Sequence, residues 1–387
     1  MSLLRNQVLF ALVIVASAAA ATSGFVGYAP NRLVAGRPVG LWQAASLPVT
    51  AIIVLLGAVL FAICFAAPSR TLHYAEAMLA AALLLLVLVA AGEAARNLSP
   101  GAKPAARISL GAAFWVLASC AALGVADALQ RLDAGPAMRV LAVAAVVAGA
   151  AALATTGIFD GLSIIREYAT RRQLFADAVL RHVALVAGSV GPATAIGFPL
   201  GVAAARNQSL QNPLFAVLNL LQTIPSIALF GLLIFPLAAL ATAVPQLAAI
   251  GVGGIGVAPA IVALVLYALL PVVRNTSVGL AGVDAAIIEA ARGMGLTGRQ
   301  IFWQVELPLA LPVLLAGLRI VTVQAIGLAV VAALIGAGGL GTFVFEGLGQ
   351  YAVDLVLLGA LPAIFLALAA DFVLQTLTAV PRRYQAA

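Results

Sequence analysis

The residues able to do chemistry in this chain are few, and their types suit binding and mechanical work better than bond making. Its two histidines, His73 and His182, stand apart at the edges of apolar runs, and no His, Asp or Glu spacing matches a metal site. Cys64 and Cys120 both fall inside apolar runs, where a free thiol acts as a small hydrophobe and no disulfide framework is implied. The phosphate-cradling pattern G-x-x-x-x-G-K-[ST] does not occur, so any ATP that drives this protein must be bound by a separate subunit. Two kinds of polar feature remain. One is an island from Gly282 to Pro312, GVDAAIIEAARGMGLTGRQIFWQVELPLALP, between two long apolar runs. The other is a handful of residues lodged within such runs, Gln222, Thr223 and Ser226 beside Pro225, and Tyr267 and Asn275 beside Pro271.

The island predicts two short helices joined by a glycine turn. Asp284 caps the first, accepting from the free amides of Ala286 or Ile287. Ala285, Ala286, Ala290 and Ala291 leave little side-chain bulk, so another surface can approach this helix closely. Gly293 and Gly295 stop it through the left-handed geometry that glycine tolerates. Thr297 with Gln300 is a capping box opening the second helix, and Pro308 sits where that helix meets the next apolar run. In the polar stretches, a proline frees a backbone carbonyl that other groups must satisfy, which is tolerable only against protein or a cavity. Ser, Thr and Gln in spans also bond simply between helices, at roughly 0.6 kcal/mol each, so pore-lining and packing readings both stand at these positions.

The elements that must position these residues follow from composition. Of 387 residues, 64% are hydrophobic and 9% charged, and the mean hydropathy is +1.16. Soluble domains carry about a quarter charged residues, so this is an integral membrane protein. Apolar runs near twenty residues, punctuated by Pro, Gly and Arg, indicate an all-α polytopic fold rather than barrel strands. The net charge of +7 comes from scattered arginines, which reads as anchoring to lipid headgroups and not as a nucleic-acid surface.

Runs at about 5–29, 48–67, 74–95, 108–130 and 139–158 make an N-terminal region, 1–158, of about five spans. The first run exceeds a signal-peptide core and is expected to stay as an uncleaved span. Residues 159–182 alternate apolar and arginine positions as an amphipathic interfacial segment. The core, 183–387, has runs at about 183–205, 213–235, 258–275, 309–335 and 354–378, with the island loop at 282–308. GAGGLG from Gly336 is too glycine-rich for helix and predicts a re-entrant turn. Intramembrane acids default to functional candidates. Here Glu76, Asp127, Glu346, Asp354 and Asp371 fall near predicted span ends, where headgroup contact suffices, and Glu93 is placed to pair with Arg96 at helical spacing.

The island resembles the EAA loop of ABC-importer permeases, whose pattern is matched by Glu289, Ala290, Ala291, Gly295, Leu307 and Pro308, with Val305 replacing the usual isoleucine. Together with QTIPS (222–226), YALLPVVRNT (267–276), ELPLALP (306–312) and GAGGLG (336–341), it resembles the permeases of osmoprotectant importers, the glycine betaine, carnitine and choline group. The resemblance covers about His182 to Pro381, and the five N-terminal spans look like those of longer permeases in some betaine systems.

The resemblance implies a type I importer core and a multi-pass chain in the bacterial inner membrane. It implies as partners an ATPase subunit that binds ATP and Mg, a periplasmic substrate-binding protein, and a second permease that is either another copy or a shorter homologue. Asp284, Glu289, Ala290, Ala291, Gly293, Gly295, Leu307 and Pro308 would then couple to the ATPase, with Glu289 making a polar contact there. Gln222, Thr223, Pro225, Ser226, Tyr267 and Asn275 would lie along the translocation pathway, and the chain would be a transport subunit, not an enzyme. A cytoplasmic island puts both termini inside, with which Arg382 and Arg383 agree, while the other basic residues divide almost evenly between the two sides. The alternatives are an ABC permease for another small solute, such as an amino acid, and an ion-coupled secondary transporter, which leaves the island unexplained.

Overall fold

Backbone groups in lipid must be satisfied within their own segment, so long apolar runs fold as helices. The computed structural model describes residues 4–31, 34, 36–99 and 105–385, with side chains to 376. The side chains of Arg382 and Arg383 lie outside the described residues. Among those described, eight helices are long and apolar enough to cross a membrane, and two shorter apolar helices accompany them. The chain divides into two compact units, 1–170 with 351–354, and 171–350 with 355–387.

The first unit contains α1 (Gln7–Thr22), β1 (Val26–Ala29), β2 (Arg37–Val39), α2 (Leu41–Ala44), α3 (Leu47–Ile63), α4 (Arg70–Leu98), β3 (Arg107–Leu110), α5 (Ala112–Arg131), α6 (Pro136–Thr155) and α7 (Ser163–Thr170). The three strands form an antiparallel sheet in the order β2-β1-β3, with Val26 opposite both Val39 and Leu110. Periodicity does not reveal it, because its apolar residues run on from the helices beside it. The first helix therefore ends at Thr22, short of Ala29.

Two acids expected near headgroups are instead inside this unit. Asn6, which caps α1 by accepting from Leu9 N (3.0 Å), donates through Nδ2 to Glu76 Oε1 (3.2 Å) and Asp127 Oδ2 (3.0 Å). Arg131 Nε donates to Asp127 (2.7 Å), and His73 Nδ1 lies 3.2 Å from Glu76, which is fully buried. Nor does Glu93 pair with Arg96. Its carboxylate accepts from the amide of Ser46 (3.0 Å), the N-cap of α3, and Arg96 donates to Thr156 O. A free helix-start amide is a nearby and well-aimed donor for a carboxylate.

The 159–182 segment is not one amphipathic element. Its α7 ends at Thr170, and from Arg172 the chain continues as a 35-residue helix. Arg107 pairs with Glu167 (3.2 Å) and Ser163 Oγ accepts from Ile108 N (2.7 Å), which holds α7 on β3.

The second unit contains α8 (Arg172–Arg206), α9 (Gln208–Thr223), α10 (Ser226–Ala243), α11 (Pro245–Ala249), α12 (Val257–Ala281), α13 (Ala285–Gly293), α14 (Gly298–Ile301), α15 (Leu307–Val331), α16 (Gly341–Gly349) and α17 (Val353–Gln385). Its centre is α12, the most buried of the long apolar helices, which packs against α8 on one side and α15 on another. The run expected at 213–235 is two helices. Ile224 is extended and Pro225 follows it, so the long apolar helix there is α10. Between α15 and α16, Gly336, Gly338 and Gly339 all take positive φ, and the chain turns sharply at the glycine-rich stretch as expected.

Candidate functional site

The island begins one residue after α12 and shows the local chemistry its sequence predicts. Asp284 Oδ1 accepts from Ala286 N (2.9 Å) at the start of α13. Leu296 N donates to Ala291 O (3.2 Å) and Gly295 N to Arg292 O (2.9 Å), the paired bonds of a Schellman stop. Its left-handed residue is Gly295, at φ +82°. Gly293 is different: it is the last helical residue of α13 and its φ is not positive. Only one of the two glycines is therefore needed for the turn.

Of α13 only Ala291 is buried, while Glu289, Ala290, Ile287 and, just beyond, Met294 are exposed. The helix presents a small, mostly alanine surface with one acid, one arginine (Arg292) and two apolar side chains at its edges.

The Thr297–Gln300 capping box is formed in both directions. The helix it opens does not end before the next apolar run. It passes through a π-helical segment, Phe302–Glu306, directly into α15, with Leu307 and Pro308 as the first residues of the regular helix. Pro308 is interior to this continuous helix and has no amide, so the bond it would have made to the preceding turn is missing, and the π-helical segment lies just before it. The island is thus one free helix plus the leading end of a long one, not two free helices.

Glu306 enters the sequence only as the first residue of ELPLALP, with no role of its own. In the structure it is buried, and both its carboxylate oxygens accept from Arg206, the last residue of α8, one of them at 3.0 Å. No spacing rule joins positions a hundred residues apart, so nothing local announces this pair.

The polar stretches come together at a second point. In α12, Pro271 has no N–H to give the carbonyl four residues earlier, that of Tyr267. Gln222 Nε2, at the end of α9, donates to that carbonyl instead (2.7 Å). The Tyr267 hydroxyl in return donates to Ile224 O at the α9–α10 break. Arg274 Nη2 donates to Asn219 Oδ1 (3.3 Å), and its guanidinium lies 5.7 Å from the Phe215 ring centroid, clipping α9 to α12 again. Asn275 Nδ2 donates to Pro271 O (2.8 Å) and Thr223 Oγ1 to Leu220 O (2.7 Å), each within its own helix. Ser226 begins α10, and Pro225 is exposed. The structure therefore joins Gln222, Tyr267 and the Pro225 break into one lock, leaving Thr223 and Ser226 beside it.

Gln222→Leu would leave the buried Tyr267 carbonyl without a donor, at about 1–2 kcal/mol. We expect a lower thermal midpoint in detergent for this variant, and a smaller change for Thr223→Val. Equal midpoints for the two would contradict the lock.

Comparison with known proteins adds the family. Residues 4–165 match the family described as ABC transporter permease YehY, N-terminal domain, and residues 197–380 match the binding-protein-dependent transport system inner membrane component. The osmoprotectant import permease protein OsmW of Salmonella typhimurium is 43% identical over 209 residues, 53% of this chain and 90% of the relative. The carnitine transport permease protein OpuCB of Listeria monocytogenes is 41% identical over 194 residues, 50% of this chain and 82% of the relative. A solved inward-facing structure of the MetNI methionine ABC transporter aligns with 55% of this chain and 98% of its own at 24% identity, with a TM-score of 0.47. With the island, the broken helix and the helical core in place, and relatives covered nearly end to end, the chain belongs to the permeases of osmoprotectant ABC importers.

Proposed function

We propose that this permease carries small quaternary ammonium osmoprotectants, such as glycine betaine, choline or carnitine, as one of two permease chains driven by a separate ATPase. The observation that carries the coupling part is the exposed alanine surface of α13, held between a capped start and a Schellman stop and continuous with two long apolar helices. The relatives' names support the substrate class. The ATPase, binding ATP and Mg, docks on α13, with Glu289 as a polar contact and the exposed Ala290 allowing close approach, while the buried Ala291 packs the helix inward. Because the island joins α12 and α15 directly, its motion tilts both. In this reading the island and both termini are cytoplasmic, in a bacterial inner membrane, and a periplasmic binding protein delivers solute to the opposite face. The second permease is another copy or a shorter homologue, and the N-terminal spans are an accessory region.

The pathway in this reading runs beside the α9–α10 break. Thr223 and Ser226 offer oxygen dipoles there, Gln222, Pro225 and Tyr267 hold the break open, and Asn275 lies about two turns farther along α12 against Gly317 of α15. A quaternary ammonium cannot donate hydrogen bonds, so oxygen dipoles and an aromatic face suit it without binding it tightly.

The test is uptake of labelled glycine betaine by cells carrying the permease, its ATPase and its binding protein. Glu289→Arg with Gly295→Trp is expected to abolish uptake and ATPase co-purification while insertion stays normal. A left-handed position costs a non-glycine residue about 1–2 kcal/mol, so Gly295→Ala should also impair uptake, whereas Gly293→Ala should leave it near wild type. Uptake that survives ATP depletion but collapses with an uncoupler would overturn the ABC mechanism. ATP-dependent transport of another solute alone would overturn only the substrate.

A further inference from the structure

Arg206 and Glu306 stand where three parts of the core meet. Glu306 is the last residue of the π-helical segment, in which Leu307 N reaches back to Phe302 O. π-helical turns inside long helices are uncommon and concentrate at functional positions. The Glu306 side chain is 4% exposed, and among the described residues Arg206 alone donates to it. Arg206, half exposed, ends α8, and the next residue, Asn207, caps α9 by accepting from Ser209 N (3.0 Å). The far end of α9 carries Gln222 and the Ile224–Pro225 break, fastened to α12 by the Tyr267 lock.

The island has covalent continuations into α12 and α15 only. Through Glu306 it also grips the α8–α9 junction, with a planar two-point contact that resists rotation as well as separation.

We propose that the Arg206–Glu306 pair is a positioning link that carries motion of the island to α9, and so to the broken helix at Ile224–Pro225. This rests on the reading of the island as the ATPase-coupling element. The two residues touch neither nucleotide nor solute in that reading. Their role is to make the α9–α10 break follow the island. A carboxylate buried against one guanidinium suits such a link, because removing either partner leaves the other without its bonds. Lysine, a single point charge, holds the carboxylate without fixing its orientation.

The test uses the full complex in liposomes, with ATP hydrolysis and solute uptake measured on the same preparation. Arg206→Ala and Glu306→Gln are expected to retain the ATPase and its hydrolysis, while solute moved per ATP falls about tenfold. Arg206→Lys should fall between these and wild type. Glu306→Gln keeps shape and burial, so it separates coupling from folding should Arg206→Ala insert poorly. If uptake and hydrolysis fall in proportion in Glu306→Gln, or neither falls, the link is wrong. Glu289→Arg with Gly295→Trp serves as the separate control. If that variant keeps its ATPase and its coupling, the island reading itself fails, whatever Glu306→Gln shows.

Discussion

Asp371→Leu should be among the most damaging single substitutions in the core. Asp371 lies within α17 and accepts two bonds from Arg319 of α15, one at 2.7 Å from Nη2. Arg319 lies at the middle of α15, and Asp371 lies near the end of the apolar stretch Val353–Thr376 of α17. Without the carboxylate, a guanidinium stands in the middle of an apolar helix, where an arginine costs about 2.5–3.5 kcal/mol. We expect poorly accumulated protein with a clearly lowered thermal midpoint in detergent. Replacing both partners, with Arg319→Met added, should recover most of the loss, since removing a paired charge is far less harmful than orphaning one. A single variant as stable as wild type, or a double variant no better than the single, would show that the pair does not hold α15 to α17.

Gly317→Leu should have an effect of similar size by a different route. A Cβ at Gly317 would come within 2.5 Å of Asn275 Cβ and 2.8 Å of its Cγ. The absence of a side chain is what lets α15 lie against α12 at this level. Overpacking of a tight contact costs about 1–3 kcal/mol, and this contact cannot relax easily because Asn275 is itself bonded to Pro271 O. The expected result is a lowered thermal midpoint and lost uptake, with Gly317→Ala intermediate. A midpoint for Gly317→Leu equal to wild type would mean that the helices separate here at little energetic penalty.

The features legible in the sequence are those whose causes are local. Asp284, Thr297, Gln300 and Gly295 act on backbone groups within a few positions of themselves, so their spacing specifies their bonds. The same local reading assigns Gly293 a turn that it does not make, because two glycines near a helix end look alike until one takes positive φ. The apolar runs announce helices, although Pro225 moves one of them from 213–235 to 226–243. What stays hidden depends on partners distant in the chain. Glu306 finds Arg206, Asn6 gathers Glu76 with Asp127, and Glu93 turns from Arg96 to the Ser46 amide. The sheet escapes for another reason. Strands of three and four apolar-rich residues, flush against helices of similar composition, leave no interval of alternation long enough to read.

The polar stretches show both limits at once. Gln222 and Tyr267 stand out as polar groups among apolar neighbours, yet only the folded chain shows that each serves the other's helix. Pro271 takes an amide from the Tyr267 carbonyl, and Gln222, 45 positions away, supplies another. For descent, the two changes have an order. A lineage that acquired the proline alone would carry a buried carbonyl with no donor, whereas the glutamine can come first, because a carbonyl has two lone pairs and can accept from it beside the regular helical amide. A chimera spliced between α9 and α12 is therefore expected to lose stability when it inherits the proline without the glutamine, and to keep it in the reverse combination.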